Sequence, residues 1–283
     1  MLKHIFVSLL LAALFPENSW LNELTNFDAL VENNTLDFAV VGADPDVVIN
    51  NTNWPLTPTQ RTDTALTMVL ATFDTEPTHV TNVEELETNY AKAQSVFNQH
   101  INTLKQKAAK SAAYNIAPSS NTSDTPVITT TGTVNANSVY VPLSYADITE
   151  MSLKYNELNY PEDGRILLLC PQHQKDLKLE NLTLFRSVLA DGKIDGFKVY
   201  MTTNIPQYDS SGDKVPMGAV GLPTSIAFIK SEVCRAVGTV NCEAEKRWAD
   251  YRGILIGAQM RFLAQRIKDK GVMAIYSKAI TTA

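Results

Sequence analysis

One stretch of the sequence constrains the fold more than any other. Between Val83 and Ala117 the residues Leu86, Tyr90, Ala93, Phe97, Ile101, Leu104 and Ala108 recur every three or four positions, the period of one helical face. Thr81-Asn82-Val83-Glu84 reads as a capping box ahead of it, with Glu84 placed to reach back to the cap. Glu84, Glu85 and Glu87 stand in its first turn, and Lys105, Lys107 and Lys110 stand toward its end. Both placements complement the helix macrodipole. Pro118 stops the pattern. At ~1.5 Å per residue the predicted helix is about 50 Å long, far beyond the average of about 11–12 residues. A helix of that length spans a whole domain as a spine, and the rest of the chain must be arranged around it.

The flanks read as mixed structure. Residues 16–46 are polar and acidic with scattered aromatics, Trp20, Phe27 and Phe38. Residues 47–80 alternate loosely through Val47, Ile49, Trp54, Leu56, Leu66, Met68 and Leu70, punctuated by prolines; this predicts two extended strands joined by a loop. After the helix, 118–139 is a Ser/Thr/Asn-rich loop with room for a short hairpin. Ser144-Tyr145-Ala146-Asp147 caps a second helix, whose face carries Ile148, Met151, Tyr155 and Leu158. Arg165–Cys170 is a strand buried on both faces, and Pro171 opens a short helix. Strands follow at 194–203 and 224–229. A long strand at 252–262 is expected to take 272–276 as its hairpin partner. No internal repeat is visible, and the class is α+β.

A chain of 283 residues makes two domain-sized units or one large one, and needs no disulfide staples. The three cysteines, Cys170, Cys234 and Cys242, form no CxxC and suit a reducing cytoplasm. The net charge is −6, which excludes a general nucleic-acid binder but leaves room for a local basic face. That charge is uneven: residues 1–80 hold two bases and ten acids, whereas 181–283 hold fourteen bases and nine acids. An acidic front and a basic back fit either head-to-tail contact between copies or ordinary solvated faces. Near the start, residues 5–15 form an apolar run too short to span a bilayer. It reads either as a signal-peptide core with a poor cleavage site or as an apolar arm.

Catalytic signatures are missing. His4, His79, His100 and His173 show no HxxxH spacing and none neighbours a cysteine in sequence. There is no GxSxG, Walker loop, GxGxxG or calcium loop. His100 reads as packed near the helix stripe. Glu84 and Glu85 answer the dipole better than paired-carboxylate chemistry. The lysines at 105, 107 and 110 read either as a solvated helix end or as a nucleic-acid contact.

Taken in order, several stretches resemble the major capsid proteins of tailed double-stranded DNA phages, the Hong Kong 97-type fold. DTALTMVLATFDTEPTHVTNVEELETNY running into QHINTLKQKAAKSAAYNIAP is similar to the end of their extended loop and the spine helix. YADITEMSLKYNELNYPEDGRILLLCPQHQKDL is similar to their helix, Pro-x-x-Gly-Arg turn, strand and Pro-x-x helix. GKIDGFKVYMTTNIP and ADYRGILIGAQMRF resemble their Gly-Phe-x-Val-Tyr strand and their Arg-Gly strand near the C-terminus.

The resemblance implies an N-terminal arm over 1–46, an extended β-hairpin loop over 47–80 and a peripheral domain with the spine helix over 81–139. It further implies an axial domain over 140–240 and strands 241–283 returning to the peripheral domain. It implies self-assembly on hexamers and pentamers into the icosahedral shell of a virion, built in the host cytoplasm. The expected partners are other copies, a portal protein, and possible scaffold and decoration proteins. Packaged DNA is touched weakly, and no membrane, cofactor or metal is involved. Under it, residues 5–15 are an arm, and Trp54, Arg61, Asp63 and Asp74 are the expected inter-subunit contacts. No lysine lies between 47 and 79, so the lysine–asparagine cross-link of some members is not expected. An encapsulin-like compartment shell, a secreted surface protein with a cleaved signal, and an enzyme using His79, His100 or His173 with nearby acids are the competing classes.

Overall fold

The computed structural model describes residues 20–42, 45–81, 92–135, 138–247 and 253–280. The apolar run 5–15, residues 82–84 of the capping box, and Leu86 and Tyr90 of the expected helix lie outside them, as does the side chain of Ala93; Thr81 itself ends β6. In chain order the strands are β1 (Thr25–Asn26), β2 (Val31–Glu32), β3 (Thr35–Val40), β4 (Thr64–Val69), β5 (Ala71–Asp74), β6 (Thr78–Thr81), β7 (Val127–Thr129), β8 (Arg165–Leu169), β9 (Lys193–Ile194), β10 (Phe197–Met201), β11 (Thr224–Ile229), β12 (Val233–Arg247), β13 (Gly253–Arg266) and β14 (Val272–Tyr276). The helices are α1 (Lys92–Ile116), α2 (Tyr145–Glu157), α3 (Pro171–Glu180) and α4 (Leu182–Asp191).

The described part of the spine helix, α1, has 25 residues, about 37 Å at ~1.5 Å each. Phe97, Ile101, Leu104 and Ala108 of the expected stripe are all buried. Each large side chain among them contributes about 1.5–3 kcal/mol by leaving water. Toward its end Ala109, Ala112 and Ala113 are buried too, so small side chains let the helix press close. It lies on β13, the centre of a sheet ordered β1-β12-β13 with β5 and β6 sharing the far edge of β13.

The second sheet runs β7-β14-β11-β8-β10-β9. Its strands β14, β11 and β8 have no exposed face, and their alternate residues feed different cores. Ile166 and Leu168 of β8, Ile226 and Phe228 of β11, and Val272 and Ala274 of β14 join the core around α1. Leu167 and Leu169, Ala227 and Ile229, and Met273 and Ile275 join the core under α2, α3 and α4. The sheet is thus a wall between two cores, as period-two alternation requires. β10 pairs parallel with β8, and α3 and α4 make the crossover that parallel pairing needs.

Several expectations hold. Ser144 and Asp147 form the capping box of α2, Pro171 opens α3 at its first position, and Cys170 caps that helix by accepting from the His173 N–H. Other expectations are corrected. β14 is not the hairpin partner of β13; it pairs with β11 and β7, because a strand buried on both faces belongs inside a sheet. β13 instead pairs with β12 over its whole length. The 118–139 loop carries the single strand β7 and no hairpin among its described residues. The hairpin strands expected inside 47–80 are β3 and β4, so the outgoing strand lies N-terminal to that span.

A strap ties the two sheets together. Trp20, Leu21 and Leu24 are buried, and Trp20 meets Phe228 edge-on at 6.2 Å. Glu23 accepts hydrogen bonds from Lys198 Nζ at 2.5 Å and Tyr200 Oη at 2.6 Å on β10. Just beyond, β1 adds to β12 of the other sheet. Burial pushes the Glu23 carboxyl up, but those hydrogen bonds outweigh it and hold it below the ordinary carboxylate range.

Candidate inter-subunit surface

The hairpin grows from a buried base. Thr35↔Val69 through Val40↔Thr64 are in antiparallel register. Leu36, Met68 and Leu70 pack with Cys234, Ala236 and Leu263, and the Phe27 and Phe38 rings lie 5.5 Å apart beside them. Above this base the strands end and a neck closes. Arg61 Nε and Nη2 donate to the two oxygens of Asp63 at 2.7 and 2.8 Å. The Gly42 N–H donates to the same carboxylate at 3.0 Å. The Arg61 guanidinium, with the Gly42 N–H beside it, pulls the Asp63 carboxyl down to about 2. A side chain at Gly42 would run into the Thr62 carbonyl, so the neck requires glycine there.

Beyond the neck the end of the hairpin is open to solvent and apolar. Val47 is 85%, Ile49 82% and Trp54 76% exposed, and Val41, Val48 and Leu56 are exposed with them. Soluble monomers rarely gather that much apolar surface at one projection unless something covers it.

The four residues singled out from sequence are not one cluster. Trp54 sits on the open end, and Arg61 and Asp63 are spent on each other at the neck. Asp74 is on β5, at the edge of the α1-bearing sheet, opposite Gln259. Charge alone drew attention to the aspartates, but an ion pair already made within the chain has little left for a neighbour. In the sequence the Val47-Val48-Ile49 run reads as strand. Three consecutive apolar residues cannot alternate, and that break in period was the signal for an exposed contact.

The histidines were the best candidates for chemistry. His173 is fully enclosed, with Nδ1 2.7 Å from Ser225 Oγ and Nε2 2.9 Å from Ser277 Oγ. Burial drives its pKa down to about 3, so the ring is neutral and cross-braces α3, β11 and the end of β14. His100 is buried against Thr78 Oγ1 at 3.0 Å. Burial pushes the Cys170 thiol up, and all three cysteines are buried and outside any disulfide.

The chain matches no family model and no curated protein sequence. Its fold does match solved structures. The capsid of the cyanophage P-SCSP1u superposes with a TM-score of 0.64 at 17% identity, covering 90% of this chain and 86% of that one. The capsid of Ralstonia phage GP4 gives a TM-score of 0.66 at 9% identity, covering 92% and 88%. A virus-like particle from Pyrococcus furiosus gives 0.59 at 12% identity, covering 97% and 99%. The projecting hairpin, the long helix on its sheet and the second, helix-covered sheet are therefore the parts of one known architecture: the chain has the α+β, Hong Kong 97-type fold of phage capsids.

Proposed function

We propose that this chain is the major capsid protein of a tailed double-stranded DNA phage, self-assembling into the icosahedral head shell. The observation that carries the reading is the hairpin end, with Val47, Ile49 and Trp54 held out to solvent on a chain with a capsid fold. Covered by a neighbouring copy, each such side chain would add about 1.5–3 kcal/mol to assembly. The neck pair Arg61–Asp63 positions that end, and the acidic front and basic back of the chain favour head-to-tail contact. In this reading α1 with the β12–β13 sheet is the peripheral domain, and the β8–β11 sheet with α2, α3 and α4 is the axial domain. The extended loop is the hairpin from Thr35 to Val69. Subunits assemble in the host cytoplasm on hexamers and pentamers, with a portal and, where used, scaffold and decoration proteins as partners.

Electron microscopy of the chain expressed alone in the bacterial cytoplasm tests this, read together with its N-terminal sequence. Closed shells, tubes or capsomer rings are expected. A monomer shortened past residue 15 by export processing overturns the reading in favour of a secreted protein. A second reading, an encapsulin-like protein-cargo compartment, shares the same fold, and the match to a virus-like particle from Pyrococcus furiosus shows that the fold is not confined to structures described as phage capsids. The contents of shells purified from the native source separate the two: nuclease-protected genome-length DNA supports a phage head, and a packaged protein supports the compartment.

A further inference from the structure

Among the described residues, the side chains of Lys105, Lys107 and Lys110 of the spine helix take part in no hydrogen bond or ion pair. The sequence assigns Lys105, Lys107 and Lys110 to the helix dipole, but no basic residue stands in the last turn of α1. The dipole effect fades within that turn. The end of the helix is served by other groups. Lys214 Nζ donates to the carbonyls of Tyr114 and Ala117 at 2.8 and 2.9 Å, and Arg266 Nη1 donates to Ala117 at 3.0 Å. Tyr208 Oη donates to Pro118. Nor do the three lysines pair with acids: α1 contains no acidic residue, and among the described residues none of the three joins an ion pair.

Their surroundings narrow the partner. Between positions 98 and 107 every exposed residue of α1 is Asn, Gln, Thr or Lys, with Lys105 half-buried at one border, Lys107 exposed at the other, and Lys110 half-buried about a turn beyond Lys107. The opposite side of the helix is filled by the sheet. The apolar hairpin end of a second copy finds no apolar complement on such a face. A polyanion does, because amides and ammonium groups all donate. From 105 to 110 the helix rises about 7.5 Å, and Lys105 and Lys107 reach out to opposite sides of the exposed face, so each long side chain can meet a separate phosphate.

We propose that the outer face of α1, through Lys105, Lys107 and Lys110 with Gln99, Asn102 and Gln106 beside them, binds the phosphate backbone of duplex DNA without regard to sequence. It deepens the shell reading by naming the surface of the subunit that meets the packaged genome. Three phosphate contacts imply a slope near −2.7 in log K against log salt, or about a 40-fold weakening between about 50 and 200 mM salt.

The test measures binding of a short fluorescein-labelled duplex of mixed sequence to dispersed full-length subunits across that salt range. The wild type should show this dependence. K105Q/K107Q/K110Q should lose most affinity at low salt and nearly all of that slope. K105R/K107R/K110R should retain both, and K175Q/K178Q/K193Q, with the same change in net charge, should behave as wild type. The proposal is overturned if the wild type does not bind duplex at low salt, or if the α1 variant binds as wild type. It is equally overturned if the control variant loses the same slope. If the α1 variant keeps DNA binding but no longer forms shells, the face is a subunit contact and not a DNA site. Failure of the wild type to form shells counts against the shell reading alone, because the binding assay uses dispersed subunits.

Discussion

Replacing His173 with glutamine should make the subunit less sensitive to acid. The ring is fully buried between Ser225 and Ser277, and its pKa falls from an ordinary 6.5 to about 3. Below pH 6.5 the unfolded chain takes up a proton there that the folded chain refuses until about pH 3. The unfolded state therefore binds more protons throughout that window, and stability drains away as pH falls through it. Each pH unit well inside the window costs about 1.4 kcal/mol, so lowering pH from 7 to 5 costs about 2 kcal/mol from this one group. His100, whose pKa burial also lowers, adds a loss of the same sign. It does so equally in both proteins, so the difference between them isolates residue 173. Urea unfolding of dispersed subunits at pH 7 and pH 5 is the assay. The wild type should lose about 2 kcal/mol more than H173Q between the two values, whatever the variant costs at neutral pH. Equal losses would refute a neutral, proton-excluding ring.

Other consequences are equally open to measurement. W54A combined with I49A should leave the melting temperature of the subunit unchanged. It should raise the assembly threshold by at least about 3 kcal/mol per subunit, roughly 150-fold in concentration; an unchanged threshold on light scattering removes the hairpin end from the contact. Gly42→Ala should push the neck apart at Thr62 and impair assembly at normal subunit stability, and normal shells from it would mean that the neck geometry is dispensable. Asp147 is 4% exposed and accepts hydrogen bonds from Thr131 N, Thr131 Oγ1 and Ser144 N, so D147A strands buried donors and should cost about 2–3 kcal/mol in urea unfolding.

The legible parts of the fold were those with one dominant local signal. The α1 stripe, the Ser144–Asp147 box, Pro171 and the all-apolar β8 each announce themselves within a few residues. β12 was missed because its register shifts between Val237 and Val240, so that Cys234 and Ala236 face one core and Cys242 the other, and such small residues give little hydropathy contrast. α4 was missed because it follows α3 after one residue, Asn181, which ends one helix and caps the next. Pairing was the least legible feature. Nothing in Val272–Tyr276 says that its neighbours are Thr224–Ile229 and Val127–Thr129, and proximity in sequence wrongly offered β13. The candidate surface was half legible: Trp54 stood out as an aromatic in a polar stretch, whereas the Arg61–Asp63 pair needed the neck geometry to be read as internal.

The strap at Trp20–Asn26 also sets a timetable. Its strand partner begins at Val233, and Thr25 pairs with Cys234, more than two hundred residues downstream. At about 5–20 residues per second of synthesis, the docking site for Trp20, Leu21 and Leu24 leaves the ribosome roughly 10–40 s after those residues do. The first described segment of the chain is thus among the last to reach its place. A nascent subunit keeps three apolar side chains without their site until nearly all of it exists, and the strap can close across the two sheets only once β12 has been made. Truncated products, lacking β12, cannot make the tie at all.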